Sequence, residues 1–256
     1  HYRLLWYIYR FSRSAASDLE TGALEGRTLG QYIQEKGYPS TFVDHYLLPM
    51  GAAIWSTPSQ GMLDFPAETF FRFCKNHGLL SLQDRPQWQT VQGGSFTYVK
   101  AFLRQFKGTG MKGTGVKQVR REAGRVEVRM EDGTVHPFDK VVLAAHADQS
   151  LQLLADPSPE ESAALGAWRY NHNPTVLHTD TTVLPPNRRA WASWNYYRNP
   201  EVGGETRLAV TYHMNRLQGI QSNTEYLVTL NPARPIRPEC VLREIDYTHP
   251  LYTFEA

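Results

Sequence analysis

A chain of 256 residues with 41% apolar and 20% charged side chains can bury a sizeable core, which excludes a disordered or fibrous polypeptide. Its 27 Lys and Arg are scattered among 25 Asp and Glu for a net charge of +2, and the pairs Arg120-Arg121 and Arg188-Arg189 stand isolated. That scatter offers no basic stripe for nucleic acid and reads as a solvated surface. Cys74 and Cys240 lie far apart with no C-x-x-C partner, which argues against a disulfide framework or a zinc site and for a reducing, cytoplasmic compartment. No stretch approaches the roughly 20 apolar residues of a membrane span. The first residues carry Arg3 and Arg10 inside an aromatic run, unlike a signal peptide, and no initiator Met precedes them, so the sequence is expected to start inside a longer protein.

Residues 1–78 read as helical. Leu4, Leu5, Ile8 and Phe11 recur at helical spacing. Thr28 is placed to cap a helix running to Gly37, and Ser40 to cap another that stops near Pro49. Pro66 suits the first position of a helix carrying Phe70, Phe71, Phe73 and Cys74 and ended by Gly78. Residues 86–91 predict a short strand, after which Gly93-Gly94-Ser95 opens a helix through Phe106. Three alternating segments follow, starting at Val116, Val126 and Val135, the last two joined by the hairpin signal Glu131-Asp132-Gly133. The apolar run Val141 to Ala145 predicts a buried strand feeding a loop and helix. Beyond Pro157 a helix over Glu160–Trp168 precedes strands near Thr175–Thr179, Ala190–Tyr196, Leu208–Tyr212 and Tyr226–Leu230, a second and mostly antiparallel sheet. A Pro- and Arg-rich tail ends the chain. Together these make an α+β protein with two sheets.

Gly108-Thr109-Gly110-Met111-Lys112-Gly113 fits G-x-G-x-x-G, but the fingerprint requires a strand before it and a helix after it. Here the order is reversed, so the segment reads as a turn that binds no phosphate. His172 and His178, His45 beside Asp44, and His146 near Asp148 match no metal-ligand spacing, and the expectation is no metal. The serine elbow G-x-S-x-G is absent. Gly93 and Gly94 allow either close approach by a cofactor or substrate or tight packing of a helix start. In Trp191 to Tyr196, alternation puts Trp191, Ser193 and Asn195 on one face and Trp194 and Tyr196 on the other, fit for core packing or for lining a cavity.

Several stretches taken together resemble one family: Tyr46 to Ser56, Phe70 to Leu80, Thr90 to Ser95, Val141 to Ser150 (VVLAAHADQS), Leu177 to Asp180 and Ala190 to Tyr196. They are similar to bacterial NAD/FAD-binding proteins of the flavin-containing amine oxidoreductase superfamily, a domain of which is also fused to some plant cyclopropane-fatty-acid synthases. The resemblance implies an amine-oxidase-like two-domain fold in which an FAD domain is interleaved with a substrate domain. Residues 1–91 would form a helical cap, 92–156 part of the FAD domain, 157–235 the substrate-domain sheet, and 236–256 a return segment. Val116 matches the position whose main chain meets the adenine, and Ala144 a second cofactor-lining position. The glycine fingerprint would precede His1 and the segment closing over the isoalloxazine would follow Ala256, so the chain is expected to be a central portion with weak FAD retention. No catalytic residue carries over. An apolar patch beside Val116 and Val141–Ala145 is expected to need the missing segments or a partner surface as cover. The implied activity is removal of hydride from a substrate carbon by an FAD-dependent enzyme, with a lipid acyl chain as one substrate class. The alternatives are a non-catalytic acyl- or isoprenoid-binding protein and an inactive fragment.

Overall fold

The computed structural model describes residues 2–57, 59–81, 86–198 and 208–256. In chain order its helices are α1 (Tyr2–Glu20), α2 (Leu29–Glu35), α3 (Ser40–Phe42), α4 (Leu48–Trp55), α5 (Ser59–Leu63), α6 (Ala67–Asn76), α7 (Phe96–Gln105), α8 (Ala147–Leu153), α9 (Pro159–Gly166) and α10 (Met214–Gln218). Its strands are β1 (Val116–Glu122), β2 (Arg125–Met130), β3 (Val135–Phe138), β4 (Arg169–His178), β5 (Trp194–Arg198), β6 (Leu208–His213), β7 (Leu227–Leu230) and β8 (Val241–Leu251). They divide into two compact units, one of residues 1–100 with 170–254 and one of residues 101–169 with 255–256.

The first unit has an aromatic helical core. Phe11 of α1 meets the rings of Tyr38, Phe42 and Phe71 at centroid distances of 5.6, 5.2 and 5.2 Å. Such tilted and edge-on pairs contribute about 0.5–1.5 kcal/mol each beyond burial. Thr28 caps α2 with a reciprocal capping box through Gln31, as its spacing predicts. Ser40 does not open a helix that stops at Pro49. A π-turn at Val43–Leu47 joins α3 to α4 instead, and the Leu48 N–H reaches back to the Val43 carbonyl. The change of hydrogen-bond spacing falls just before a residue with no N–H to give, so the helix passes Pro49 and runs on to Trp55.

Five strands in the order β5-β6-β7-β4-β8 complete this unit. Residues 86–91, expected as a strand, join no ladder. The strand predicted at Ala190 starts at Trp194, because Arg188–Ala190 forms a 3-10 turn capped by Asn187. Trp191 therefore lies outside the alternation, and its indole N–H donates to the Pro185 carbonyl. Residues 236–256, read as a return path, supply the edge strand β8.

The second unit is built on the sheet β1-β2-β3, whose two tight hairpins turn at Gly124 and Gly133 with φ of +78° and +88°. Asp132 accepts from both the backbone and the hydroxyl of Thr134 and fixes the second turn. Val119, Val128 and Met130 form its small core, against which Val141, Leu143 and Leu153 pack. Val141–Ala145 joins no ladder among the described residues, contrary to the buried strand expected there. Val141 and Leu143 are half-buried on that core, whereas Val142 is 89% exposed and Ala144 and Ala145 are open to solvent. Its outer side and edges have no sheet to join within this unit.

Candidate functional site

The second unit contains a cleft of about 660 Å³ lined by Val116, Lys117, Glu131, Ala145, Gln149, Gln152 and Leu153. Local sequence builds each wall. Val116 begins β1 at the sheet edge, and the pairing of Val116 with Met130 and of Gln118 with Arg129 leaves Lys117 as an extra, bulged residue. Farther along, the outer edge of β1 is closed, since Val119 bridges Leu154 and its carbonyl accepts from the Ala155 N–H. At Val116–Lys117 no strand covers that edge among the described residues. Gln149 and Gln152 lie one turn apart on α8 and so share a face, while Ala145 enters from the loop before the helix.

Glu131 closes the cleft near Gly115. Its N–H donates to the Gly115 carbonyl at 2.9 Å, and a Cβ at Gly115 would stand 2.7 Å from the Glu131 carboxylate, so a side chain there would displace it. A smaller cavity of about 390 Å³, mostly apolar, lies between β1, β2, α8 and α9 and is rimmed by Arg121 and Glu161. The Glu161 carboxyl sits below its ordinary range because it accepts from the Ser158 N–H, with the Arg121 guanidinium adding to the effect.

The two residues expected at a cofactor are close in chain space to one cleft, but with a shift. Val116 lines it, and Ala145 lines it in place of Ala144, which is exposed immediately before. A flat aromatic base fits what is present: a main-chain edge free of a partner strand, a small side chain allowing close approach, and two amide side chains in the lining. Lys117, Glu131, Gln149 and Gln152 were not legible as site residues in the sequence, although Gln149 and Gln152 share a helical face. Gly93 and Gly94 belong to the first unit. Both have positive φ, and a Cβ on Gly94 would meet nothing within 4 Å, so the turn into α7 itself demands glycine there. Gly108–Gly115 is an irregular link from helix α7 to strand β1, with no helix starting at Gly113.

In the first unit a buried polar row crosses the five-stranded sheet. Thr229 and Thr211 face each other through their hydroxyls at 2.8 Å, and Thr229 meets His178 Nε2 at 2.8 Å. The Asp180 N–H donates to His178 Nδ1, so the proton of the neutral ring lies on Nε2 and points at Thr229. Burial holds the His178 pKa below its ordinary value. Asp180, 1% exposed, accepts from Thr182 N and Oγ1 and from Arg237 N and Nε. Burial raises its pKa, but these donors outweigh it and bring the carboxyl to about 2.

This chain is similar in fold to two solved structures. One is described as a CLA-producing fatty acid isomerase from P. acnes, with TM-score 0.55 and 12% identity over 88% of this chain and 54% of that one. The other is assigned as a protoporphyrinogen oxidase from Exiguobacterium sp. 255-15, with TM-score 0.53 and 14% identity over 94% of this chain and 61% of that one. The chain thus spans about half to three-fifths of their length. No curated protein matches it. Residues 28–220 match the family model described as flavin containing amine oxidoreductase, which reaches from the α2 cap through β1 and the cleft, and takes in His178, Asp180 and Thr211, to the end of α10. With three-quarters of its length inside that match, this α+β chain belongs to the flavin-containing amine oxidoreductase family.

Proposed function

We propose that the protein is an FAD-dependent oxidoreductase that takes hydride from a substrate carbon. The observation that carries the reading is the cleft at the uncovered edge of β1, lined by Val116 and Ala145 inside a region of the family match. The adenine end of FAD would lie against the Val116–Lys117 main chain, with Ala145 allowing close approach and Gln149 and Gln152 as hydrogen-bonding side chains in the lining. FAD, when bound, supplies the two-electron acceptor, while the protein orients substrate and excludes water. The unit of residues 101–169, which takes in most of the 92–156 stretch, serves as part of the FAD domain, and the other unit as the helical cap and sheet of the substrate domain. A lipid acyl chain is the substrate class we favour, supported by a fold neighbour described as a fatty acid isomerase.

The test uses the full-length protein. Purified protein is expected to carry flavin absorbance that bleaches anaerobically with unsaturated or saturated fatty acyl substrates. Ala145→Arg, which fills the cleft from an exposed position, is expected to lower FAD retention at least about tenfold, as loss of close approach removes a well-packed contact. Full retention in this variant would show that the cleft is not the adenine site.

A further inference from the structure

We infer that α1 is a docking helix for an anionic membrane surface, independently of the flavin reading. Its inner face is fixed, because Phe11 and Ala15 are buried and Leu4, Tyr7, Ile8 and Leu19 pack around the helical core. The opposite face is turned away from that core. In its first three turns that face carries Tyr2, Leu5, Trp6 and Tyr9, with Leu5 61% and Trp6 55% exposed. A solvated helix would put polar side chains there. This stripe is continuous, since positions 2, 5, 6, 9 and 13 lie on one side at helical spacing.

The charges select the occupant. From Tyr2 to Ser17 the helix holds Arg3, Arg10 and Arg13 and no acid, whereas Asp18 and Glu20 stand at its far end. Arg13 donates to the Tyr9 hydroxyl at 3.0 Å, whereas Arg10 is turned toward the protein, donating to the Lys36 carbonyl and lying 4.9 Å from the Tyr38 ring centre, so Arg3 and Arg13 are the cations placed to meet phosphate. Trp and Tyr with cations beside them form the composition that settles at the headgroup level of a bilayer, with the rings at the acyl boundary and the cations on phosphate. No described helix is long and apolar enough to cross a membrane, so the contact would be peripheral. Asp18 anchors the other end of the helix to the protein, through Lys36 at 2.7 Å and the Tyr32 hydroxyl at 3.0 Å.

The experiment sediments full-length protein with vesicles of phosphatidylcholine alone or with about 30% phosphatidylglycerol added. Binding is expected to the anionic vesicles only and to weaken with salt. Leu5→Ser with Trp6→Ser is expected to reduce partitioning at least about tenfold. Arg3→Gln and Arg13→Gln are each expected to reduce it about fivefold on anionic vesicles. Trp6→Phe should retain most of the binding, and far-ultraviolet circular dichroism should be unchanged throughout because the altered side chains are exposed. Phe102→Ser with Phe106→Ser, on α7, should bind like the parent. Absence of binding to either vesicle, equal binding to both, or loss only in the α7 variant overturns the proposal. So does a vesicle-free dimer that Leu5→Ser with Trp6→Ser dissociates, which would make the stripe a contact between copies.

Discussion

Asp180 holds a negative charge almost out of solvent on four hydrogen bonds, two from Thr182 and two from Arg237. Its pKa of about 2 lies below the ordinary 3.8, so the unfolded chain takes up this proton first as the pH falls. The stabilisation is complete above about pH 4 and is lost toward about pH 2; half-exposed Arg237 screens part of it, leaving about 1–2 kcal/mol. Urea unfolding across that window should show the step in the parent and lose it in Asp180→Asn. His178 adds a separate step higher up. Its folded pKa lies below the ordinary 6.5, so stability declines as the pH drops below about that value and the unfolded ring takes up protons. Thr229→Val removes the acceptor for His178 Nε2–H and should cost about 1–3 kcal/mol in the same assay, whereas Thr229→Ser should stay near the parent. The His178-Thr179-Asp180 run is visible in the sequence. Its partner Arg237 is 57 residues away, and no local pattern announces that pairing.

At the scale of elements, the features that one turn of chain decides were legible. The Thr28 cap needs only Gln31 three residues on, and Gly133 closes the turn that Glu131-Asp132-Gly133 announces. Thr28→Ala should therefore lower stability by about 1 kcal/mol, read as a shifted urea midpoint. What depended on distant partners was hidden. Pro49 looks like a stop until the π-turn before it is seen, and a strand at Val241–Leu251 is disguised by Arg243, Glu244, Asp246 and Pro250. An edge strand tolerates both charge and proline, because one side of its backbone pairs with nothing. The same limit shaped the site. Resemblance pointed to Val116 and Ala144, of which Val116 lines the candidate cleft, but the bulge that presents Lys117 arises from a register shift against β2.

For the molecule as a whole, the second unit leaves Val142 and Ala144 outward next to Ala145 of the cleft, with no sheet of its own to receive them. We expect the isolated 256-residue chain to aggregate through this patch, and the full-length protein to cover it. Val142→Lys makes opposite predictions in the two contexts. It should raise the soluble fraction of the isolated chain and lower flavin loading of the full-length protein, measured by light scattering and by absorbance. A soluble, monomeric, cooperatively melting parent chain would mean that both units close their cores unaided.

The first unit is made of two stretches of chain with the second unit between them. During synthesis, residues 101–169 can collapse as soon as they emerge, since β1, β2 and β3 pair through short hairpins. The aromatic core of the earlier helices is drawn from residues 11–74 and can also close early, whereas the five-stranded sheet must wait for β4 to β8. Nascent chains stalled after Arg169 should thus show protease protection over β1–β3 and over α1–α6. The last part to become native would be the sheet that the final third of the chain supplies.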